Sequence, residues 1–221
     1  MIEEPQNARS QRTRDAILGA TFALLVEGGV ASVTMAEVAD RAGCSRRALY
    51  LHFASRAEIL VAMIGYADRR FGLEAYVAPV LEAEGPVERL RALGTFLGAY
   101  HTKLAPLLRA VAAERETDEA ARAAWEAAMA GWRGNAARIV AELEAEELLH
   151  PRFEDPEDAV DLMYSLMSVD LLRVLVDERG WSPEKYGAHM AETFVALLVA
   201  DAARPHKKPV ATPARRRPGG R

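Results

Sequence analysis

Signals that start and stop α-helices recur along this chain, whereas patterns typical of β-strands are nearly absent. Thr34 and Ser55 are each followed three positions later by a glutamate, which is the capping-box spacing that opens a helix. Gly28-Gly29 ends the first apolar-periodic segment, as glycine commonly does at a helix C-terminus. No alternating run of β-branched or aromatic residues stands between turn residues. The sequence therefore predicts an all-α fold of about nine helices.

The same signals predict the limits of the individual helices. The predicted segments are Ser10–Glu27, short helices from Thr34 and Ser45, a helix from Ser55 towards Pro79, one from Gly85-Pro86, a long one over Thr117–Leu149, one from Asp155 to Gly180, and a last one from Trp181 to about Ala203. Pro106 is expected to interrupt or kink its segment, because proline lacks a backbone N–H.

Charge is distributed unevenly along the chain. The formal net charge of −4 by itself argues against a nucleic-acid partner. However, residues 1–56 carry seven Lys/Arg against six acids, residues 57–203 carry 14 against 26, and residues 204–221 carry seven against none. An anionic polymer would therefore dock at the ends of the chain. We predict a flexible N-terminus over residues 1–8, a head over 9–56, a helical body over 57–203 and a basic disordered tail over 204–221.

Residues 34–53 are typical of two short helices joined by a tight turn. Gly43 supplies the positive φ that such a turn needs, and the small Ala39 lets the helices approach closely. The core between the helices is expected to contain Val38, Leu49 and Phe53. The second helix is too short to be stable alone, so its neighbours must hold it. Its opening turn carries two arginines, a geometry that presents side chains to base edges in the major groove of DNA.

The stretch from about Arg14 to Leu60 resembles the DNA-binding domain of the tetracycline-repressor (TetR) family. The matching positions are Gly28-Gly29, Thr34, Glu37-Val38-Ala39, Ala42-Gly43, Ser45, Leu49-Tyr50, His52-Phe53, Ser55-Arg56 and Glu58. The rest of the chain is similar to this family only in organisation. The resemblance implies an N-terminal three-helix helix-turn-helix domain and a C-terminal helical domain for ligand binding and dimerisation. Arg47 departs from the pattern, because many members have glycine there, and this changes the expected base contacts.

The resemblance also implies roles in DNA binding. Arg46 and Arg47 are candidates for reading bases, because arginine pairs bidentately with guanine O6 and N7. The remaining DNA-binding candidates, chiefly for phosphate contact, are Thr34, Ser45, Tyr50, His52, Ser55 and Arg56, through side chains and helix N-terminal N–H groups. The alternative is that Tyr50 and Phe53 only pack between helices and that the two arginines are solvated surface residues.

An aromatic and methionine-rich set lies in the central helices. Taken alone, such a set is most often ordinary core. The resemblance implies instead a cavity for a small apolar or aromatic effector, for which these side chains are suited. The candidate ligand-binding residues are Met63, Tyr66, Phe96, Tyr100, Trp125, Met129, Trp132, Met163 and Met167. The polar candidates near them are His101, Arg133, Asn135 and Asp170.

The helix from Asp158 and the last helix are apolar on more than one face, so each needs a second partner beside the core. The resemblance implies that this partner is the same pair of helices in a second subunit. The leading interpretation is a homodimeric repressor that releases a palindromic double-stranded DNA operator when an effector binds. The alternatives are an effector-independent regulator or activator, and a helical ligand-binding protein that has lost DNA binding.

Other functions lack the residues they need. No catalytic triad or phosphate-binding loop stands in a suitable context, so we expect no enzyme and no cofactor. The five histidines are scattered, so we expect no metal. Cys44 in the turn between the two short helices is a redox-sensor candidate beside two arginines, or simply a turn residue. No apolar stretch reaches the ~18 residues of a membrane span. The acidic N-terminus and single cysteine favour the cytoplasm.

Overall fold

The computed structural model describes the backbone of residues 3–201 and the side chains of residues 8–201 apart from Val30 and Ala120. The predicted basic tail over 204–221 and the first two residues of the predicted flexible N-terminus lie outside this range. Within it the chain forms eleven α-helices and no strand. Extended backbone pairs at a single antiparallel bridge, between Leu149 and Val199. The prediction of an all-α fold is confirmed.

The helices follow one another with short connections. Their bounds are α1 Glu3–Gly28, α2 Met35–Arg41, α3 Arg46–His52, α4 Arg56–Phe71, α5 Leu73–Leu81, α6 Pro86–Phe96, α7 Thr102–Glu114, α8 Glu119–Ala145, α9 Pro156–Leu166, α10 Val169–Leu172 and α11 Pro183–Leu198. A 3₁₀ turn, Val30–Ser32, precedes α2. A π-helical segment, Leu97–His101, joins α6 to α7, and another, Arg173–Glu178, follows α10. The first helix therefore begins at Glu3 rather than at Ser10.

Side-chain caps start the helices of the head where the sequence predicts. The hydroxyls of Thr34 and Ser55 accept hydrogen bonds from the backbone N–H groups of the glutamates three residues later. The second half of each capping box differs from expectation. The Glu37 carboxylate accepts from the Thr34 hydroxyl, and the Glu58 carboxylate accepts from the backbone N–H of Ala54. The glutamates therefore stabilise the helix starts without bonding to the N–H of the capping residue itself.

The predicted helix from Ser55 towards Pro79 is wrong in its end point. Gly72 takes a left-handed conformation with φ of 67°, which ends α4 and starts α5. Pro79 lies inside α5 instead of ending a helix. Pro106 likewise lies inside α7 without interrupting it, and the irregularity is the π-helical segment before α7.

Two further predictions fail near the C-terminus. The helix expected from Asp155 to Gly180 breaks after Leu166, because Ser168 has extended backbone and its hydroxyl caps α10. The last helix ends at Leu198 rather than near Ala203. Val199 is extended there, and the Leu198 carbonyl accepts a hydrogen bond from the N–H of His150, at an N–O distance of 2.7 Å.

Two apolar cores organise the chain. The first contains Leu18, Val38, Leu49 and Phe53 of the head and continues through α4 into α7. The second fills the body between α6, α8, α9 and α11. Packed side chains of the first core therefore connect α3 to α7 without a break. The predicted boundary at residues 56 and 57 falls in the first turn of α4.

Helices α6 and α11 approach each other very closely. A Cβ added at Gly94 would overlap the backbone of Ala191, and one added at Gly98 would overlap the carbonyl oxygen of Pro183. Gly187 on α11 faces the same crossing. The absence of side chains at these positions lets the two backbones touch, which fixes the position of the π-helical segment between α6 and α7.

Candidate nucleic-acid interface and ligand cavity

Buried contacts hold α3 firmly against the rest of the head. Gly43 has φ of 65° and forms the predicted tight turn between α2 and α3. The Ser45 hydroxyl caps α3 by accepting from the N–H of Ala48. Leu49 is fully buried, and Phe53 is 1% exposed beneath the end of the helix. The short helix is therefore fixed by its neighbours, as its length requires.

The outer face of α3 carries Arg46, Arg47 and Tyr50, all of them exposed. Among the described residues, neither arginine has a hydrogen-bonding or ionic partner for its guanidinium group. Leu51 is 80% exposed on the same helix, and we did not foresee it as a site residue. It lies four residues after Arg47, which places the two on one helix face, and this spacing is the signal that could have indicated it. This face offers two free cations, a phenol and an apolar side chain.

The other DNA-binding candidates surround α3. Thr34, Ser45 and Ser55 each cap a helix N-terminus with their hydroxyls, and Thr34 is exposed. His52 is half-buried in the last turn of α3, and its carbonyl oxygen accepts from Arg14 of α1 at 3.3 Å. The Arg14 guanidinium also lies 4.2 Å from the centre of the Phe53 ring. This clamp on the end of α3 was not expected from the sequence.

Arg56 joins the head to the body. Its Nη2 donates to the Glu114 carboxylate at the end of α7, at 2.6 Å. The Nε of the same guanidinium is buried and has no hydrogen-bond partner in the described part of the chain. A phosphate oxygen would supply both a charge and an acceptor to this group. Arg56 therefore has a protein partner now and a donor left over.

A cavity of about 470 Å³ opens in the body, bounded by α4, α5, α6, the π-helical segment, α7 and α8. Four predicted ligand-binding residues line it, namely Phe96, Tyr100, Trp132 and Met167. Two of the polar candidates, His101 and Asn135, also line it, whereas Arg133 and Asp170 do not. The volume lies within the range for drug-sized ligands.

The other five candidates lie outside the cavity wall. Met63 and Met163 are fully buried, one in each core, because their helix faces meet neighbouring helices rather than the cavity. Trp125 lies near the head side of α8, with the Arg115 guanidinium 4.9 Å from its ring. Tyr66 and Met129 are half-buried on α4 and α8. Helical spacing alone could not separate a cavity face from a packed face.

The cavity also contains three polar groups that the sequence did not reveal, namely Asp68, Arg89 and Glu142. Asp68 lies in its wall and accepts a hydrogen bond from the Tyr100 hydroxyl. Burial, followed by this contact, raises the pKa of Tyr100 above its usual range. Arg89 and Glu142 form an ion pair at another part of the wall. The ring of His101 stacks on Trp132 at 4.3 Å, and burial lowers the pKa of His101 to about 3.

Other chemistry finds little support in this geometry. Burial raises the pKa of the Cys44 thiol, which favours its interpretation as a turn residue over a reactive thiolate. Among the described side chains, no group of three metal-ligating residues comes together. No single described helix is long and apolar enough to cross a membrane. Helices α3 and α4 reach that length and composition only jointly, across a bend of 64°.

Comparison with known proteins agrees with this geometry. Residues 17–63 match the family described as bacterial regulatory proteins, tetR family. An uncharacterised HTH-type transcriptional regulator of Mycobacterium tuberculosis is 38% identical over 82 residues, which cover 37% of this chain and 40% of that protein. The match therefore spans well under half of this relative's own length.

Solved structures extend the likeness to the whole fold. NalD from Pseudomonas aeruginosa, described as the secondary repressor of the MexAB-OprM multidrug efflux pump, is 25% identical, with a TM-score of 0.64 over 88% of this chain and 99% of NalD. A regulator from Saccharomonospora viridis, solved with choline, is 19% identical, with a TM-score of 0.69 over 84% and 97% of the two chains. These three relatives are described as transcriptional regulators or as a repressor. The head therefore matches the tetR family of bacterial regulatory proteins over residues 17–63, and the helical body has a fold similar to that of solved regulators.

Proposed function

We propose that the chain is a homodimeric transcriptional repressor that binds a palindromic operator through α3 and releases it when a small ligand enters the body cavity. One observation carries the DNA-binding part. Arg46 and Arg47 are exposed and lack partners among the described residues, on a helix that its buried residues hold in place. Free cations on the exposed face of a helix that is held in place are suited to the major groove.

The residues of the head divide into two roles in this proposal. Arg46 and Arg47 read base edges, and Leu51 adds an apolar contact of the kind that thymine methyl groups offer. Thr34, Tyr50, His52, Ser55 and Arg56 position the head on phosphates. The backbone N–H groups at the starts of α2 and α4 lie beside the hydroxyls of Thr34 and Ser55 and add to the phosphate contact.

The dimer is proposed to form through α9 and α11. Leu162 on α9 is a large apolar residue that is 48% exposed, whereas the neighbouring Met163 is fully buried in the core of the body. Symmetric pairing of the same surface in two copies would cover this side chain. It would also set the distance between the two heads.

Ligand release is proposed to act through α4. This helix begins at Arg56 beside α3 and carries Ile64 and Asp68 in the cavity wall. A ligand that displaces α4 would change the separation of the two heads, which must match half-sites about one DNA turn, ~34 Å, apart. The description of NalD as a repressor favours repression over activation. Cytoplasmic location follows from this role.

Selection of bound sequences from a random DNA library tests the proposal. We expect enrichment of an inverted repeat whose half-site centres lie about one helical turn apart. Enrichment of a single half-site would contradict the dimer while supporting DNA reading by α3. No enrichment above the input library would favour the alternative of a helical ligand-binding protein that has lost DNA binding. If no ligand of the cavity changed the affinity of the protein for its operator, the alternative of an effector-independent regulator would be favoured.

The basic segment 204–221 lies outside the described residues and retains its predicted role as a proposal. Seven positive charges without an acid would add DNA affinity that is independent of sequence. We expect its deletion to lower affinity for unrelated DNA and to flatten the salt dependence without changing the selected operator. An unchanged salt dependence would show that the segment does not contact DNA.

A further inference from the structure

One acidic group in the body cavity lacks a charged partner. The Asp68 carboxylate lies in the wall and accepts a hydrogen bond from the Tyr100 hydroxyl. Among the residues that the structure describes, Asp68 forms no ion pair, whereas Glu142 in the same wall is paired with Arg89. An unpaired carboxylate bordered by apolar surface interacts strongly with a cation, because the low local dielectric screens the attraction weakly.

Aromatic rings line the cavity beside this carboxylate. The ring of Phe96 stacks on Tyr100, with centroids 5.4 Å apart, and meets the edge of His101 at the same distance. His101 in turn stacks on Trp132. The four rings therefore pack against one another along the cavity wall. Aromatic ring faces carry a partial negative charge that attracts organic cations.

Lys103 lies near these rings but outside the cavity lining, and its ammonium donates a hydrogen bond to the Tyr76 hydroxyl. The Lys103 ammonium lies 4.6 Å from the centre of the Tyr76 ring, and that ring is 5.4 Å from Tyr100. Two arginines also lie in the wall, and neither forms an ion pair with Asp68. Arg89 is bound to Glu142, and Arg138 is exposed and donates to Asn135. His101 is neutral at physiological pH, because burial lowers its pKa to about 3.

We propose that the cavity binds lipophilic organic cations, with Asp68 facing the positive charge and the rings of Phe96, Tyr100 and Trp132 covering the apolar part. The proposal names the ligand class of the cavity and rests on the proposed function for its regulatory meaning. It predicts selection by the sign of charge, which a purely apolar or hydrogen-bonding cavity would not show.

Two ions of nearly the same size and shape test this directly. Tetraphenylphosphonium is a cation and tetraphenylborate an anion, so their difference in affinity reports the sign of the charge that the cavity prefers. Calorimetric titration of the full-length protein is expected to show the phosphonium binding at least about tenfold more tightly. Equal affinity for the two ions, or tighter binding of the borate, would overturn the proposal.

Single substitutions test whether the preference for the cation comes from Asp68. Asp68→Asn keeps the size of the side chain and an acceptor for Tyr100, and we expect it to weaken phosphonium binding about tenfold while leaving borate binding unchanged or tighter. Asp170→Asn is the matched control, because Asp170 lies outside the cavity wall and its side chain is 86% exposed. Full phosphonium affinity in a folded Asp68→Asn protein would contradict the role of this carboxylate.

Operator binding is measured separately in the presence of the phosphonium, so that the two proposals can fail independently. Charge-selective binding that depends on Asp68 but leaves the DNA affinity unchanged would support the ligand class and contradict ligand-induced release. Operator DNA that binds specifically while the phosphonium shows no preference over the borate would contradict the ligand class alone.

Discussion

Arg46 and Arg47 lie in the first turn of α3, where side chains can reach base edges without moving the backbone. We expect Arg46→Ala or Arg47→Ala to weaken operator binding by about 1–3 kcal/mol per half-site, because each removes a bidentate base contact. Affinity for unrelated DNA should fall much less. Arg179→Ala, an exposed arginine of the body, serves as the control. Wild-type operator affinity in both head variants, measured by fluorescence anisotropy, would rule out base reading by these residues.

At this scale the sequence predicted the exposed and helix-capping residues of the head better than the residues that line the cavity. Every position on α3 is close in sequence to the next, so helical spacing decides which side chains share a face. Asp68, Arg89 and Glu142 come from three different helices. Their meeting in one cavity depends on how those helices cross, and no local pattern records that geometry.

The stability of the helical body depends on the close contact of α6 and the π-helical segment after it with α11. We expect Gly98→Ala to destabilise the fold by about 1–3 kcal/mol, because the added methyl group overlaps the Pro183 carbonyl and the crossing must open. Gly131→Ala is the control, since a Cβ at that position on α8 meets nothing within 4 Å. The control should gain about 0.5–1 kcal/mol from the lower helix propensity of glycine. Urea unfolding of both variants measures the difference, and equal stabilities would contradict the assigned crossing.

The ion pair between Arg56 on α4 and Glu114 on α7 connects two helices and leads to a second prediction at this scale. Glu114→Gln removes the charge that competes with phosphate for the Arg56 guanidinium. We expect a several-fold rise in affinity for operator and unrelated DNA alike, and a salt dependence steeper by up to about one phosphate contact.

Glu116→Gln is the control for this change. Glu116 lies two residues after Glu114 in the sequence, its side chain is 75% exposed, and its carboxylate is paired with Arg115. If both variants bound DNA like the wild-type protein over a range of salt concentrations, Arg56 would not alternate between Glu114 and phosphate.

Element boundaries show where local signals are sufficient and where they are not. Thr34, Ser45 and Ser55 start their helices where predicted, because a hydroxyl and the N–H three residues later define a helix start by themselves. The end of α11 was not predicted. It depends on pairing of the backbone after Leu198 with residues 148–150, which are distant in sequence.

The whole molecule should lose stability in mild acid through His101. Its pKa is lowered to about 3 in the folded state, while an unfolded histidine titrates near 6.5. The unfolded chain therefore binds the extra proton between these values. The contribution of this group is fully present above pH 6.5 and is lost as the pH falls towards 3, at up to about 1.4 kcal/mol per pH unit.

Comparison with His101→Phe isolates this contribution, because the acidic residues titrate alike in both proteins. The free energy of unfolding of the wild-type protein should fall more steeply between pH 6.5 and 5 than that of the variant. His189→Phe, at an exposed position, should follow the wild-type slope. Parallel slopes for wild type and His101→Phe would contradict the burial of a neutral imidazole.

The central claim, that α3 reads DNA, is tested most directly by a mobility-shift titration with the DNA that flanks the gene. The wild-type protein should bind a fragment of this DNA with a Kd of about 10 nM or tighter, and at least about 1,000-fold more tightly than unrelated DNA of equal length. A variant carrying both Arg46→Ala and Arg47→Ala should lose that preference while remaining folded. Equal affinity of the wild-type protein for flanking and unrelated DNA, unchanged in the double variant, would contradict the account.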